Sequence, residues 1–256
     1  MEELQSYLNT RILGHTMKYE RSVFSTQTLA HEWAIQGASE GSVIIADTQS
    51  NGRGRSGKQW CSPVGTGIWM SLILRPNIPL KNATHFTLLT SVAVQKGIQT
   101  IVDLSIQIKW PNDLLINGKK TCGILTEVRS RSNQLLYMVI GVGINVNTLP
   151  GEFPHELRDK VTSLGIECGK KVSRPLLVAS ILQEMECYYL AYRERGFEYI
   201  RQEWEACSGI LGKSVTAQAP HGRVTGKALE LTDKGELIIQ TKYGKCAINS
   251  PYIELL

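Results

Sequence analysis

With 256 residues, 42% of them hydrophobic and 20% charged, the chain has the composition of an ordinary soluble globular protein, long enough for one large domain and a small one. Its net charge of +5 is modest and its cations are interleaved with acids, which excludes nucleic acid as the main partner. No apolar run of about 18 residues and no charged-then-apolar leader occurs, so membrane insertion and export are not expected. Six scattered cysteines (61, 122, 168, 187, 207 and 246), with no Cys-x-x-Cys pair, read as reduced thiols of a cytoplasmic protein.

In chain order, residues 17–23 predict a strand. A helix follows, capped by Ser25 or Thr26, running through Ala34 and stopping at Gly37. A hydroxyl pair there either caps the helix or holds a small polar ligand group, and capping is the first reading. Val43–Ala46 predicts a buried strand that feeds directly into the stretch Gln49–Trp60.

That stretch gathers Gly52, Arg53, Gly54, Arg55, Gly57 and Lys58 and closes on Trp60. It has too few apolar residues to bury itself and is expected to be mobile until it wraps an anion. Glycines let backbone N–H groups approach phosphate, and arginines clamp phosphate or carboxylate with two prongs. The string Gly52-x-Gly54-x-x-Gly57 also fits the dinucleotide-binding fingerprint. However, Trp60-Cys61-Ser62-Pro63 cannot open a helix, and no acid lies between Asp47 and Asp103, so that fold is set aside.

Further strands are predicted at Gly67–Leu74 and Ile106–Lys109, with a long helix over Ala83–Val102 between them. Asn117-Gly118 is a strong hairpin signal between Leu114–Ile116 and a strand through Gly123–Val128. Leu135–Val146 is another strand, and its glycines 141 and 143 suggest close approach of a ligand or a second backbone. Residues 148–172 read as a loop with a short helix. Ser173 then caps a helix with Val178, Ile181, Leu182, Met185 and Tyr189 on one face, and another spans Phe197–Trp204. Beyond about Gly212 the texture turns to short strands, giving a small antiparallel barrel or sheet.

Four separated stretches, each polar or glycine-rich at a strand end, combine cations with one carboxylate, Asp113. That inventory suits a phosphate-bearing ligand, a magnesium ion and a second ligand carrying a carboxylate. The motifs GRGRSG at 52–57, KWPND at 109–113, GKKTCGIL at 118–125 and GVGIN at 141–145, with GKALELTDKGELIIQ at 226–240, resemble the biotin protein ligases. The likeness spans nearly the whole chain and is to the form reduced to its catalytic core.

The resemblance implies an α+β fold: a catalytic domain like that of class II aminoacyl-tRNA synthetases over residues 1–208, and an SH3-like β-barrel over 209–256. It implies two steps with ATP and Mg²⁺. Biotin is first converted to biotinyl-5′-AMP and then passed to a lysine on the carrier domain of a biotin-dependent carboxylase. No nucleic acid or membrane partner is expected, and a homodimer is left open.

Residue by residue, the resemblance sets Ser25, Thr26 and Gln49 around the biotin ring and Gly52, Arg53, Gly54 and Arg55 in a loop closing over biotin and adenylate. It sets Trp60 against adenine, and Asp113 and Asn145 near the adenylate, with Asp113 also toward the metal. Lys120 falls by the carboxylate and α-phosphate, and Gly123 beneath biotin. Lys109 is given a supporting electrostatic role. Lys58, also on the adenylate side, stands where other members carry arginine. Lys120, Arg53 and Arg55 are the catalytic candidates.

With only about 16 residues before the first strand and no helix-turn-helix signal, the repressor role of some members is not expected. The alternative is a lipoate ligase or an octanoyltransferase, which share the fold. The octanoyl enzymes use a cysteine nucleophile, but Cys122 lies among apolar neighbours and reads as core.

Overall fold

Strands buried on both faces read as apolar runs and belong in the middle of a sheet covered from two sides. A computed structural model of the chain, describing residues 2–219, 222–249 and 253–255, places Val43–Ala46 and Gly67–Leu74 there. In chain order the elements begin with α1 (Glu2–Tyr7), β1 (Met17–Glu20), α2 (Thr26–Ile35), β2 (Val43–Ala46), β3 (Gly52–Arg53), β4 (Gln59–Trp60) and β5 (Gly67–Leu74). Next come α3 (Thr84–Gln99), β6 (Gln107–Lys109), β7 (Asp113–Ile116), β8 (Lys119–Arg131) and β9 (Gln134–Asn145). Helices α4 (Leu164–Cys168), α5 (Arg174–Arg195) and α6 (Phe197–Cys207) lead to β10 (Ser214–Ala219), β11 (Gly222–Leu231), β12 (Leu237–Thr241), β13 (Gly244–Ile248) and β14 (Ile253–Leu255).

Seven strands form one sheet in the order β1-β2-β5-β9-β8-β7-β6. The β1–β2 pair is parallel and the others are antiparallel. Alternation sorts the side chains. Val43, Ile45, Leu72 and Leu74 enter the main core with α3 and α5, while Ile44 and Ile73 join Ala30, Ala34 and Val139 in a smaller core under α2. Helices α3 and α5 approach closely at Gly97, where a Cβ would lie 2.9 Å from the Ile181 Cα. Helix α2 packs on β2, β5 and β9, so the same sheet face over β8 and β7 stays open. The functional site forms there.

Two hairpins shape that face. Asn117 and Gly118 both have positive φ (50° and 77°), the two-residue turn that their sequence predicts. Ser132 and Asn133 make a second such turn (49° and 62°) without any glycine, which is why composition alone gave no turn signal there. Helix α1 and strand β14 were likewise not anticipated, being too short to show a period. No helix among the described residues is long and apolar enough to cross a membrane.

The last strands form a separate antiparallel sheet in the order β13-β12-β11-β10-β14, the unit expected after Gly212. Residues 220, 221, 250–252 and 256 of the expected 209–256 domain lie outside the described residues. We place the division between the end of α6 at Cys207 and the start of β10 at Ser214.

The apolar core runs on across the seam between the two parts, and hydrogen bonds there fix their register. Trp110 Nε1 donates to the Gly235 carbonyl (3.1 Å), and Thr84 Oγ1 donates to that of Lys234 (2.8 Å). His85 stacks on Phe197 and bridges the Asp233 carbonyl (2.9 Å) and the Tyr192 hydroxyl (3.0 Å). Since a carbonyl only accepts, Nε2 is the donor. Burial pushes the His85 pKa down, favouring this neutral form. Trp110 therefore ties the KWPND turn to the small domain. Trp110→Phe keeps an aromatic ring but removes the N–H and half of a buried bicycle, leaving a buried carbonyl unpaired, and we expect a loss of at least about 1–3 kcal/mol. A denaturant midpoint equal to wild type would show that the bond carries no stability.

Candidate active site

A cavity of about 550 Å³ opens on the uncovered sheet face. Its floor is bare backbone. Gly123 of β8 pairs across the sheet with Gly143 of β9, and Gly141 follows on the same face opposite Leu125. Cβ atoms added at Gly123 and Gly143 would lie 2.8 and 2.6 Å from the Trp60 ring, and one at Gly141 2.6 Å from Gln27 Oε1. All three glycines are thus required by what stands on them.

One end of the cavity is polar and uncharged. Ser25 occupies the position before α2, but its hydroxyl makes no capping bond and is buried with no partner among the described residues. This corrects the capping reading. Gln49 takes over that end instead: its Oε1 accepts from the Thr26 backbone N–H (2.9 Å) and from Thr26 Oγ1 (3.1 Å), while its Nε2 donates to Ser62 Oγ (2.9 Å).

The middle of the cavity is charged. Lys120 Nζ lies 2.6 Å from Asp113 Oδ1 and 5.2 Å from the Trp60 ring centre. Asp113 Oδ1 has no aligned hydrogen bond, so the pairing with Lys120 is electrostatic. The lysine reaches this face because of a register shift. Asp113 pairs with Gly123 and Leu114 with Cys122, but Leu115 pairs with Lys120, skipping Thr121. In an unbroken ladder the side chains at 120 and 122 would share a face, and Cys122 is in the core. The bulge turns Lys120 to the side of Asp113.

The basic loop lies over these groups. It is a small hairpin, β3 with β4, around a tight turn at Arg55–Gly57. Both of its arginines are tethered by side-chain hydrogen bonds. Arg55 Nη1 donates to Asn112 Oδ1 (2.9 Å), and Arg53 Nη2 donates to Glu127 Oε1 (2.6 Å). Burial lowers the Arg55 pKa and Asp113 opposes that shift, yet a guanidinium keeps its proton. A hydrogen bond from His31 holds the Glu127 carboxyl below its usual range, with Gln27 and Arg53 adding to the effect and burial opposing it.

The cavity brings together Ser25, Thr26, Gln49, Arg53, Gly54, Arg55, Lys58, Trp60, Lys109, Asp113, Lys120, Gly123 and Asn145. Gly52 does not line it. Gly52 is in the hairpin itself, paired with Trp60, where a Cβ would meet the Trp60 carbonyl at 2.5 Å. Asn145 spends its Nδ2 on the Thr162 carbonyl (3.1 Å). Trp60 rests on the glycine floor with its edge toward Trp69.

Comparison with known proteins fits this arrangement. Residues 19–145 match the model of the biotin/lipoate A/B protein ligase family, and residues 210–254 match the biotin protein ligase C terminal domain. The bifunctional ligase/repressor BirA of Bacillus subtilis is 43% identical over 253 residues, covering 99% of this chain and 78% of its own. The chain belongs to the biotin protein ligase family. The biotin–[acetyl-CoA-carboxylase] ligase of Mycobacterium tuberculosis is 30% identical over 206 residues, 78% of this chain and 73% of that one. The biotin protein ligase of Aquifex aeolicus, solved with biotin and ATP, superposes with a TM-score of 0.82 at 29% identity, covering 94% of this chain and 99% of that one.

Several residues facing the cavity were missed in the sequence. Gln27 stands next to the hydroxyl pair, and Ser71 interrupts the apolar run of β5, which was its one available signal. Asn112 lies inside the KWPND motif. Phe153, Leu157 and Val161 come from the stretch 148–163 and add an apolar wall. That stretch is pinned to β8 by backbone bonds from Lys120 to Lys160 and from Thr162 to Lys120 (both 2.9 Å).

The exposure of the loop at Arg53 and from Ser56 to Gln59 predicts its behaviour. Trypsin should cut the free protein at Arg53, Arg55 or Lys58, and biotin with ATP should suppress that cleavage. Equal cutting with and without ligands would rule out closure of this loop over the bound pair.

Proposed function

We propose that this chain is a biotin protein ligase, activating biotin with ATP and transferring it to a protein lysine. One observation carries the reading: the order of groups along the cavity. The uncharged polar end at Ser25, Thr26 and Gln49 suits the biotin ring system, the glycine floor gives a compact bicycle room to approach the backbone, and Lys120 lies beside Gly123 in the same cavity as Arg55 and Lys58. A carboxylate anchored by its ring at the first end would come to rest among the cations.

In the first step a biotin carboxylate oxygen attacks the α-phosphorus of ATP, and the bond to pyrophosphate breaks. Two anions must meet, and negative charge grows on the α-phosphate. Lys120 and Arg55 are placed to offset that charge, and holding both reactants supplies much of the remaining rate. In the second step a lysine amine attacks the acyl carbon, AMP leaves, and the amine loses its proton. The acceptor we propose is a carrier domain of a biotin-dependent carboxylase, which the names of the relatives support.

A magnesium ion fits as a companion of ATP rather than a resident. No cluster of three metal-ligating acids, histidines or cysteines occurs among the described residues. Asp113 supplies one carboxylate, and magnesium commonly binds through one or two of these plus phosphate oxygens. When bound it would neutralise phosphate charge. The octanoyl-transfer alternative finds no support, because Cys122 is fully buried and burial drives its thiol pKa far upward.

The test is pyrophosphate release from ATP with biotin, lipoate and octanoate offered separately, and only biotin should support it. Lys120→Ala should cost about 2–4 kcal/mol in turnover while leaving the melting temperature nearly unchanged, since its ion pair is partly exposed. Near-normal turnover by the folded variant would remove Lys120 from the chemistry. Arg55→Gly loses the tether to Asn112 and adds backbone freedom. A loss of ~1.4 kcal/mol in retention raises escape of the intermediate about tenfold. That variant should still make biotinyl-AMP yet label an unrelated lysine-rich protein, and unchanged bystander labelling would show that Arg55 does not contain the intermediate.

A further inference from the structure

Lys120 stands where the sheet runs out beside it. The ladder between β8 and β9 begins at Cys122 with Ile144, so on that side Lys120 lies past its end. Residues 160–162 take the place of the missing strand. The Lys120 N–H donates to the Lys160 carbonyl and the Lys120 carbonyl accepts from the Thr162 N–H, both at 2.9 Å, a single parallel bridge at Val161. On its other side Lys120 pairs with Leu115, next to the bulge. The backbone that aims this lysine is therefore held in part by a segment distant in sequence.

One carboxylate ties that segment to the turn before Lys120. Thr162 Oγ1 donates to Glu167 Oε1 (2.6 Å), and Asn117 Nδ2 donates to Glu167 Oε2 (2.7 Å). A carboxylate only accepts, so both directions are fixed, and with them the Asn117 amide. Glu167 reaches Thr162 because Ser163 caps α4. The residue before a cap and the fourth residue of the helix lie side by side, the pair that forms an apolar staple elsewhere. The chain from Asn117 to Lys120, the backbone bond to Thr162 and the two bonds of Glu167 thus close a ring around the point where the lysine is attached.

We infer that Glu167 is a positioning residue for adenylation: it locks the β7–β8 turn to residues 160–162 and so fixes where the Lys120 ammonium meets the α-phosphate. This inference rests on the ligase reading above. Glu167 stands outside the cavity lining, so it acts on the reaction through Lys120. A cation that offsets transition-state charge works only from a fixed position, and a displacement of about 1 Å can cost on the order of a hundredfold in rate.

The test uses the whole enzyme and pyrophosphate release with saturating biotin and ATP. Glu167→Ala removes both bonds and should lower turnover about tenfold while leaving the biotin KM within about twofold. Glu167→Gln can keep both contacts, its oxygen accepting from Asn117 and its amide donating to Thr162 Oγ1, and should restore turnover to within about threefold of wild type. In a Lys120→Ala background, Glu167→Ala should cost no further turnover, because the group it positions is gone. Wild-type turnover by folded Glu167→Ala overturns the inference. So does a further loss of about tenfold in the Lys120→Ala background, which marks a general brace, or a Gln variant as slow as the Ala variant, which shows that the two contacts are not what matters. If Glu167→Ala does not fold, Asn117→Gly breaks the ring from its other end at a residue whose φ is already positive, and the same outcomes apply. Failure of the wild type to release pyrophosphate with biotin would sink the ligase reading itself. A wild type active on biotin beside an indifferent Glu167 variant sinks this inference alone.

Discussion

The site exists because part of the sheet carries no side chains. At Gly123 and Gly143, paired across two strands, and at Gly141 beyond them, any Cβ would meet another group within 2.8 Å. A bare β surface is a weak one, since glycine gives up more chain entropy than any other residue and offers nothing to pack. The fold offsets this from behind. The opposite face of β8 and β9 presents Cys122, Ile124, Ile140, Val142 and Ile144 to the main core, all essentially inaccessible to solvent. A rigid apolar back makes a naked front tolerable, and a naked front lets a planar ring lie against the backbone.

Charge is arranged with the same economy. Lys120, Arg55, Lys58 and Lys109 converge on a cavity whose inner carboxylate, Asp113, is already in contact with Lys120. Without ligand Asp113 offsets the charge of Lys120, the uncharged Asn112 amide satisfies an Arg55 N–H, and Glu127 pairs with the neighbouring Arg53. Arriving anions compete with those internal partners. The loop's two arginines are held by different residues, Arg53 on the side of Glu127 and His31, Arg55 on the side of the KWPND turn. The loop can thus exchange one tether while retaining the other.

Much of this was legible in the chain. The apolar runs of β2 and β5, the Asn117-Gly118 turn, Ser173 before α5 and the change of texture after Gly212 all follow from local chemistry, and tertiary packing did not override them. The residues expected in the site lay in four stretches, and the cavity collects them apart from Gly52. What stayed hidden depended on partners distant in sequence. Ser25 looks like a cap, and only the arrival of Gln49 from the next strand end frees its hydroxyl. Arg53 looks like a ligand clamp, and only the register of β8 brings Glu127 to it. Ser71 sits in a strand where one hydroxyl among apolar residues carries little local information.

The bulge at Thr121 has a consequence for how this chain can vary. Along a strand, facing is a matter of odd and even, so the interval between Asp113 and Lys120 encodes a parity as well as a distance. The turn at Asn117-Gly118 and the skipped residue together set that parity. Losing Lys119 and restoring a regular ladder would change the motif by a single letter, yet send the Lys120 ammonium into the core beside Leu114 and Ile116, where an unpaired charge has no home. Substitutions within the motif can be graded by chemistry. A change of its length by one cannot, because it exchanges the inside of the protein for the outside.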